Sequence, residues 1–171
     1  RVVFTSSNTV YLRPRVGLEG ETLTEDFPVW TLSGRSPNIY ATTKLAAEML
    51  GLSYYDIYKL DFVAVRFAAV FGPWRGSVSG IVGVRIKAMA DSALAGKPVV
   101  VDLGELGNQN LDLVYSKDAA RGTVLACHCS NPGTRVYNIT MGKMHSFPEV
   151  ARTLCEIVPG ARMETIGNLP I

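Results

Sequence analysis

Tyr40 and Lys44 stand four residues apart in the segment Tyr-Ala-Thr-Thr-Lys. On a helix that spacing puts both side chains on one face. The lysine ammonium can then sit beside the phenol and favour its ionised form, pulling a group of ordinary pKa about 10 toward neutral pH. The chemistry on offer is proton transfer to or from an oxygen. A surface pair on any helix has the same spacing, so context must separate the two. Ser6 and Ser7 follow the apolar run Val2-Val3-Phe4. If that run is a buried parallel strand, the serines lie at its carboxyl end, where open α/β sheets gather their ligand groups. A hydroxyl there can bond a substrate oxygen while the tyrosine moves its proton. The alternative is that the serines merely end the strand. A third segment, Arg66-Phe67-Ala68-Ala69-Val70-Phe71-Gly72-Pro73, follows the next strand at the same sheet edge. Three such pieces in order are far rarer by chance than any one of them.

These residues need a scaffold, and the apolar patterning supplies one. Short apolar runs at Val2 to Phe4, Phe62 to Arg66, Val99 to Asp102, Leu111 to Val114 and Val136 to Ile139 read as strands. Helical patterns run from about Asn38 to Lys59, Ile81 to Ala95, Lys117 to Cys129 and Ser146 to Val158. In the first of these Leu45, Ala46, Met49, Leu50, Leu52 and Tyr55 are available for packing and Glu48 falls on the wetter side, while Gly51 weakens the helix without ending it. Ser146 followed by Glu149 is a capping box. The stretch from Leu12 to Pro37 is loop-like, and a connection of that length is more often functional than idle. Alternating strands and helices mean an α/β sheet.

Composition narrows the partners. With 171 residues, 47% hydrophobic and 19% charged, the chain suits one core. A net charge of +2 with scattered Lys and Arg gives no basic stripe, so nucleic acid has no electrostatic support. No stretch reaches the roughly 20 apolar residues of a membrane span, and the opening residues do not suit a signal peptide. The cytoplasm is the expected compartment. Three cysteines fit reduced thiols better than disulfides. Cys127-His128-Cys129 invites a metal reading, but the ligands are too close together and no second cluster completes four, so no metal is expected.

The ordered set of segments resembles the extended short-chain dehydrogenases, the NAD-dependent epimerase/dehydratase family. The matching residues are Val3-Phe4-Thr5-Ser6-Ser7-Asn8-Thr9-Val10-Tyr11, Tyr40 to Lys44 with Leu45-Ala46-Ala47-Glu48, Arg66 to Pro73, Asp112 to Ala120, and Tyr137-Asn138-Ile139. The resemblance implies a Rossmann-like doubly wound parallel sheet, with residues 1–71 as the second half of the cofactor domain. Residues 72–171 would be mostly a small α/β substrate-binding portion, with elements returning to the core sheet. It further implies that Tyr40 moves the proton, that Lys44 bonds the nicotinamide ribose, and that Ser7 holds the reacting hydroxyl or carbonyl. Thr5, Ser6, Phe67, Ala68, Ala69 and Val70 would line the cofactor together with Tyr40 and Lys44. Ser7, Asn8, Thr9, Ala69, Trp74 and Arg75 would face the substrate. The cofactor implied is NAD, with NADP an alternative, and the implied assembly is a homodimer through the helix that carries the pair and its neighbour, with Leu45, Met49, Leu52 and Tyr55 as its apolar contacts unless they are ordinary core.

The sequence departs from that family in three ways. No Gly-x-x-Gly-x-x-Gly occurs, although the family carries it where the backbone approaches the pyrophosphate. Residue 1 enters at what resembles the fifth strand, so the chain reads as a slice of a longer protein that alone binds cofactor poorly. Nucleotide-sugar enzymes usually carry Asn where Ala69 stands and Arg where Leu111 stands, and leucine cannot pair with a diphosphate. That favours a sugar-like or sugar-acid substrate, to be oxidised, reduced or epimerised at a hydroxyl. Trp74 and Arg75 offer an aromatic face and a cation for it, unless they are an ordinary packed Trp and solvated Arg. A nucleotide-sugar epimerase or dehydratase is the alternative, with Arg75 or Arg85 replacing the missing cation. A non-catalytic cofactor-sensing protein of the same fold is the rival from outside enzymes.

Overall fold

Six consecutive residues from Val2, rich in β-branched side chains, form strand β1 (Val2–Ser7), and a single 3-10 turn (Asn8–Tyr11) follows at once. The computed structural model describes residues 1–11, 23–27, 29, 38–73, 80–106 and 110–168. Within them the chain forms two compact units, Arg1–Ala68 with Asp118–Ile139, and Ala69–Lys117 with Thr140–Ile171.

The first unit is built on a parallel sheet in the order β1-β2-β6, with β2 (Phe62–Phe67) in the centre and β6 (Val136–Ile139) at one edge. The register sets Ser6 beside Arg66 and Ser7 beside Phe67 on β1 and β2, and Arg66 beside Asn138 on β6. Side chains alternate between the two faces of a strand, and β2 buries both. Phe62 meets helix α1 (Ile39–Tyr58), while Val63 and Val65 form a cluster with Ala126 of helix α4 (Ser116–His128). A strand buried on both faces reads as a continuous apolar run, as Phe-Val-Ala-Val does.

Gly51 explains itself here. A Cβ at that position would lie 2.2 Å from ring atoms of Phe62, so the glycine in mid-helix is what lets α1 lie this close to the sheet. The helix ends at Lys59, which adopts φ 55 and ψ 27 and donates its backbone N–H to the carbonyl of Tyr55 at 3.0 Å. Asp61 then bridges Arg1 (2.9 Å) and Arg135 (2.6 Å), fastening the starts of β1 and β6 to the start of β2.

The second unit holds β3 (Ala69–Phe71), β5 (Asn110–Tyr115) and β7 (Met144–Ser146) in one sheet, and β4 (Val99–Asp102) with β8 (Met163–Ile166) in another. β3 runs parallel to β5 and β7 antiparallel to it. Its core joins Ile86, Met89 and Ala93 of α2 (Ile81–Leu94) to Val99 and Val101 of β4, Leu111 and Leu113 of β5, and Phe147 and Ala151 of α5 (Phe147–Ile157). A short helix, α3 (Leu103–Leu106), follows β4. The expected capping box is present: Ser146 Oγ accepts from the Glu149 N–H at 3.3 Å, and Glu149 Oε2 accepts from the Ser146 N–H at 2.7 Å.

The α/β class with parallel sheets is the one expected, and all nine anticipated elements occur within about two residues of their expected ends, β1 ending on the serines as anticipated. β3, β7 and β8 were not anticipated. No described helix is long and apolar enough to cross a membrane. Cys127 and Cys129 are exposed free thiols and Cys155 a half-buried one.

Candidate active site

Tyr40 and Lys44 are placed by the start of α1. Asn38 has extended φ and ψ, and its Oδ1 accepts the Ala41 N–H at 2.8 Å, satisfying one of the open donors of the first turn. Tyr40 therefore sits in that first turn with half its surface exposed (51%). One turn later Lys44 crosses to the strand: its Nζ donates to the Thr5 carbonyl at 2.6 Å. The same ammonium lies 5.1 Å from the ring centroid of Phe4 and 5.7 Å from that of Tyr40. A cation is thus held between the tyrosine and the end of β1; the four-residue spacing anticipates the first neighbour and not the second.

Ser7 closes β1 and is buried (8% exposed). Its Oγ accepts from the Thr9 N–H at 3.3 Å and lies 3.0 Å from Thr9 Oγ1. Ser6, 3% exposed, has an Oγ with no hydrogen-bond partner among the described residues. Leaving a buried hydroxyl unpaired costs free energy, so the Ser6 hydroxyl is open to a polar partner that the described residues do not supply.

A third turn of the same helix brings Glu48, and here the structure departs from the reading of the helix pattern. Glu48 is fully buried rather than on the wetter side, because Arg66 of β2 reaches it. Arg66 Nε lies 3.1 Å from both carboxylate oxygens and Nη2 donates to Oε2 at 2.7 Å. Burial would weaken the arginine's hold on its proton, but the hydrogen bonds and charge of Glu48, together with Tyr11, outweigh it and keep Arg66 above its ordinary pKa.

The guanidinium also lies 4.7 Å from the ring centroid of Tyr11 and donates through Nη1 to the Glu25 carbonyl at 3.3 Å. The Tyr11 hydroxyl shares its proton between Asn138 Oδ1 (2.7 Å) and the Thr24 carbonyl (3.1 Å). Asn138 holds the same segment from the other side, its N–H to Glu25 Oε1 at 2.8 Å and its Nδ2 to the Leu23 carbonyl at 3.0 Å. Sequence reasoning noted Tyr11, Arg66 and Asn138 only within matching segments and did not single out Leu23, Thr24 or Glu25. The signal that could have exposed the network is an arginine ending an otherwise apolar central strand, since a buried arginine requires a partner.

The remaining candidates divide by unit. Asn8 opens the 3-10 turn, half-buried, and Phe67 packs against the Val63, Val65 and Ala126 cluster. Ala68 is buried and donates its N–H to the Ile139 carbonyl at 3.1 Å. Ala69 and Val70 belong to the second unit, where Ala69 packs against that unit's core and Val70 is 36% exposed. Leu111 is 5% exposed inside that core, so leucine at this position serves packing. Arg85 forms an ion pair with Glu105 and lies 5.9 Å from the Phe147 ring centroid. Trp74 and Arg75 lie outside the described residues. Along α1, Leu45, Leu52 and Tyr55 are half-buried and Met49 exposed, and Leu50, Tyr54 and Ile57 form an exposed apolar stripe. Among the described residues no group of three or more His, Cys, Asp or Glu could hold a metal.

The chain is similar to UDP-glucuronate 4-epimerase of Thermodesulfobacterium geofontis, 33% identical over 104 residues, which are 61% of this chain and 29% of that protein. It is also similar to UDP-glucuronate 4-epimerase 5 of Arabidopsis thaliana, 27% identical over 135 residues, 78% of this chain and 28% of that protein. Among solved structures it resembles the UDP-glucose 4-epimerase of Thermus thermophilus in complex with NAD, with TM-score 0.71 and 29% identity over 98% of this chain and 51% of that one. A UDP-glucuronic acid 4-epimerase from Bacillus cereus, in complex with UDP-glucuronic acid and NAD, matches with TM-score 0.66 and 25% identity over 98% of this chain and 49% of that one. The chain thus spans about half the length of these solved relatives and under a third of the curated ones. The model of the NAD dependent epimerase/dehydratase family matches residues 1–140, a span that contains Ser7, Tyr40, Lys44 and the Glu48–Arg66 pair, and the chain belongs to that family.

Proposed function

We propose that the protein to which this chain belongs uses NAD to oxidise a hydroxyl of a sugar-like substrate transiently, as an epimerase or dehydratase does, with Ser7, Tyr40 and Lys44 as its reacting groups. The observation that carries this reading is the Lys44 ammonium, fixed on the Thr5 carbonyl at 2.6 Å and set beside the Tyr40 ring, on the strand that ends at Ser7. Tyr40 takes the proton of the substrate hydroxyl through its phenol oxygen and returns it when the carbonyl is reduced. Ser7 bonds the reacting oxygen. Lys44 supplies a positive charge beside the phenol, and Lys44 and the unpaired Ser6 hydroxyl are the first unit's contribution to holding the nicotinamide end of the cofactor. NAD, when bound, accepts and returns the hydride at carbon.

Two substrate readings are separable. The named relatives act on UDP-sugars, which supports a nucleotide sugar. Ala69 and Leu111, standing where such enzymes usually carry Asn and Arg, favour a sugar or sugar acid without a diphosphate. Saturation binding of UDP-glucuronate and of free glucuronate to the full-length, NAD-loaded protein distinguishes them. If neither ligand bound and neither changed nicotinamide absorbance, the sugar reading would be wrong.

The 171-residue chain by itself is proposed to bind NAD weakly, since it has no glycine-rich turn to cradle a pyrophosphate. Calorimetry showing tight binding would contradict this. A homodimer through α1 is proposed on its exposed Leu50, Tyr54 and Ile57, and light scattering that finds the full-length protein monomeric at working concentration would remove it.

A further inference from the structure

A serine hydroxyl has one proton to give and two lone pairs to receive. At Ser7 one lone pair is committed beyond choice, because the Thr9 backbone N–H, 3.3 Å away, can only donate. The Thr9 hydroxyl, 3.0 Å away, decides the rest. If it donates, both acceptor sites of Ser7 are filled by residue 9, and the only capacity left to Ser7 is its own O–H. If it accepts, the Ser7 proton is tied up locally and unavailable to a substrate.

We propose that Thr9 donates, and that it is the positioning residue that makes Ser7 a fixed hydrogen-bond donor toward the reacting oxygen. This rests on the functional reading above and gives the Thr9 hydroxyl to Ser7 in place of the expected substrate contact. Several observations argue for it. The 3-10 turn Asn8–Tyr11 begins directly after Ser7 and brings Thr9 back over it. Ser7 is 8% exposed, so few directions remain for its proton. An O–H whose oxygen already accepts two hydrogen bonds is polarised and donates more strongly.

A fixed donor suits an oxygen gaining negative character better than one holding a proton. The labour then divides cleanly. As the substrate carbinol is oxidised, its O–H bond breaks and the proton goes to the phenol oxygen of Tyr40. Its C–H bond breaks and the hydride goes to NAD, leaving a C=O bond. Ser7 donates to that oxygen throughout and exchanges no proton.

The direct test is neutron diffraction from deuterium-exchanged crystals of the full-length protein. The Ser7 hydroxyl deuteron is expected off the line to Thr9 Oγ1, with the Thr9 deuteron lying between the two oxygens. A Ser7 deuteron on that line overturns the proposal whatever the substrate proves to be.

The kinetic test uses the substrate that the full-length enzyme turns over. Thr9→Val is expected to lower kcat about tenfold with KM within twofold, and Thr9→Ser to restore kcat to within twofold. In a Ser7→Ala background, Thr9→Val should have almost no further effect, because the two residues act as one unit. An unchanged or raised kcat in Thr9→Val, a rise in KM alone, or independent losses in the double variant overturns the role of Thr9. Full activity in Ser7→Ala would instead overturn the functional reading beneath it.

Discussion

Glu48 and Arg66 form an ion pair in which neither side chain is more than 4% exposed, joining the helix of Tyr40 and Lys44 to the central strand of the first unit. Desolvating both charges is costly, so the pair should be judged by what its halves do alone. Glu48→Ala leaves a buried, unpaired guanidinium and is expected to lose about 3–5 kcal/mol of stability. The double change Glu48→Met with Arg66→Leu should recover most of that, since well-packed apolar replacements of such pairs are often neutral or better. Urea unfolding of the three proteins measures both. A Glu48→Ala loss under about 1 kcal/mol would mean that the carboxylate contributes little.

Glu149 gives a pH dependence of known sign. The hydrogen bond from the Ser146 backbone N–H, helped by the Ser146 hydroxyl and nearby Lys143 and His145, holds its carboxyl below the usual glutamate range despite some desolvation. Its contribution is therefore complete above the unfolded value of about 4.3 and is lost as pH falls through the lower folded value. Glu149→Gln should show a flatter fall in Tm below about pH 4.3, with the difference from wild type greatest near neutrality. Parallel Tm-against-pH curves would contradict the capping assignment.

Gly51→Ala tests the packing of α1. Elsewhere in a helix the change would gain up to about 1 kcal/mol from propensity. Here the new Cβ meets the Phe62 ring, itself 4% exposed, so the expected result is a net loss of about 1–3 kcal/mol from overpacking. Denaturant midpoints decide the sign, and a stabilised variant would mean that Phe62 can move aside.

Lys44→Met removes the cation beside Tyr40 while keeping the length of the side chain. The expected loss in kcat is about 100-fold or more, with far-ultraviolet circular dichroism unchanged, since Lys44 is only half-buried. A variant that kept its activity would confine Lys44 to a structural bond with the Thr5 carbonyl.

Much of the fold could be read from the sequence because its central strand β2 is buried on both faces and α1 and α5 begin at side-chain caps. Phe62 to Val65 is unbroken apolar sequence, and Ser146 with Glu149 marks the start of α5 to the residue. β3 and β7 have three residues each, too few for a period, and β8 is mostly exposed, so its side chains carry little apolar signal. Lys44 was legible from local spacing, and the Thr5 carbonyl that holds it was not, since backbone acceptors have no sequence signature. Glu48 shows the same limit. Helical periodicity cannot know that Arg66, 18 residues on, will arrive at the same place, and a charge taken for solvent-facing becomes the most buried one among the described residues of the unit. Thr9 is subtler still, because only geometry shows that its hydroxyl is spent on Ser7.

The central claim is that Tyr40 moves the proton. It is tested most directly by Tyr40→Phe in the full-length protein, with single-turnover nicotinamide absorbance followed after mixing with its substrate. The expected result is a fall in the hydride-transfer rate of about 100-fold to 10,000-fold with substrate affinity nearly unchanged. A rate within twofold of wild type would contradict it.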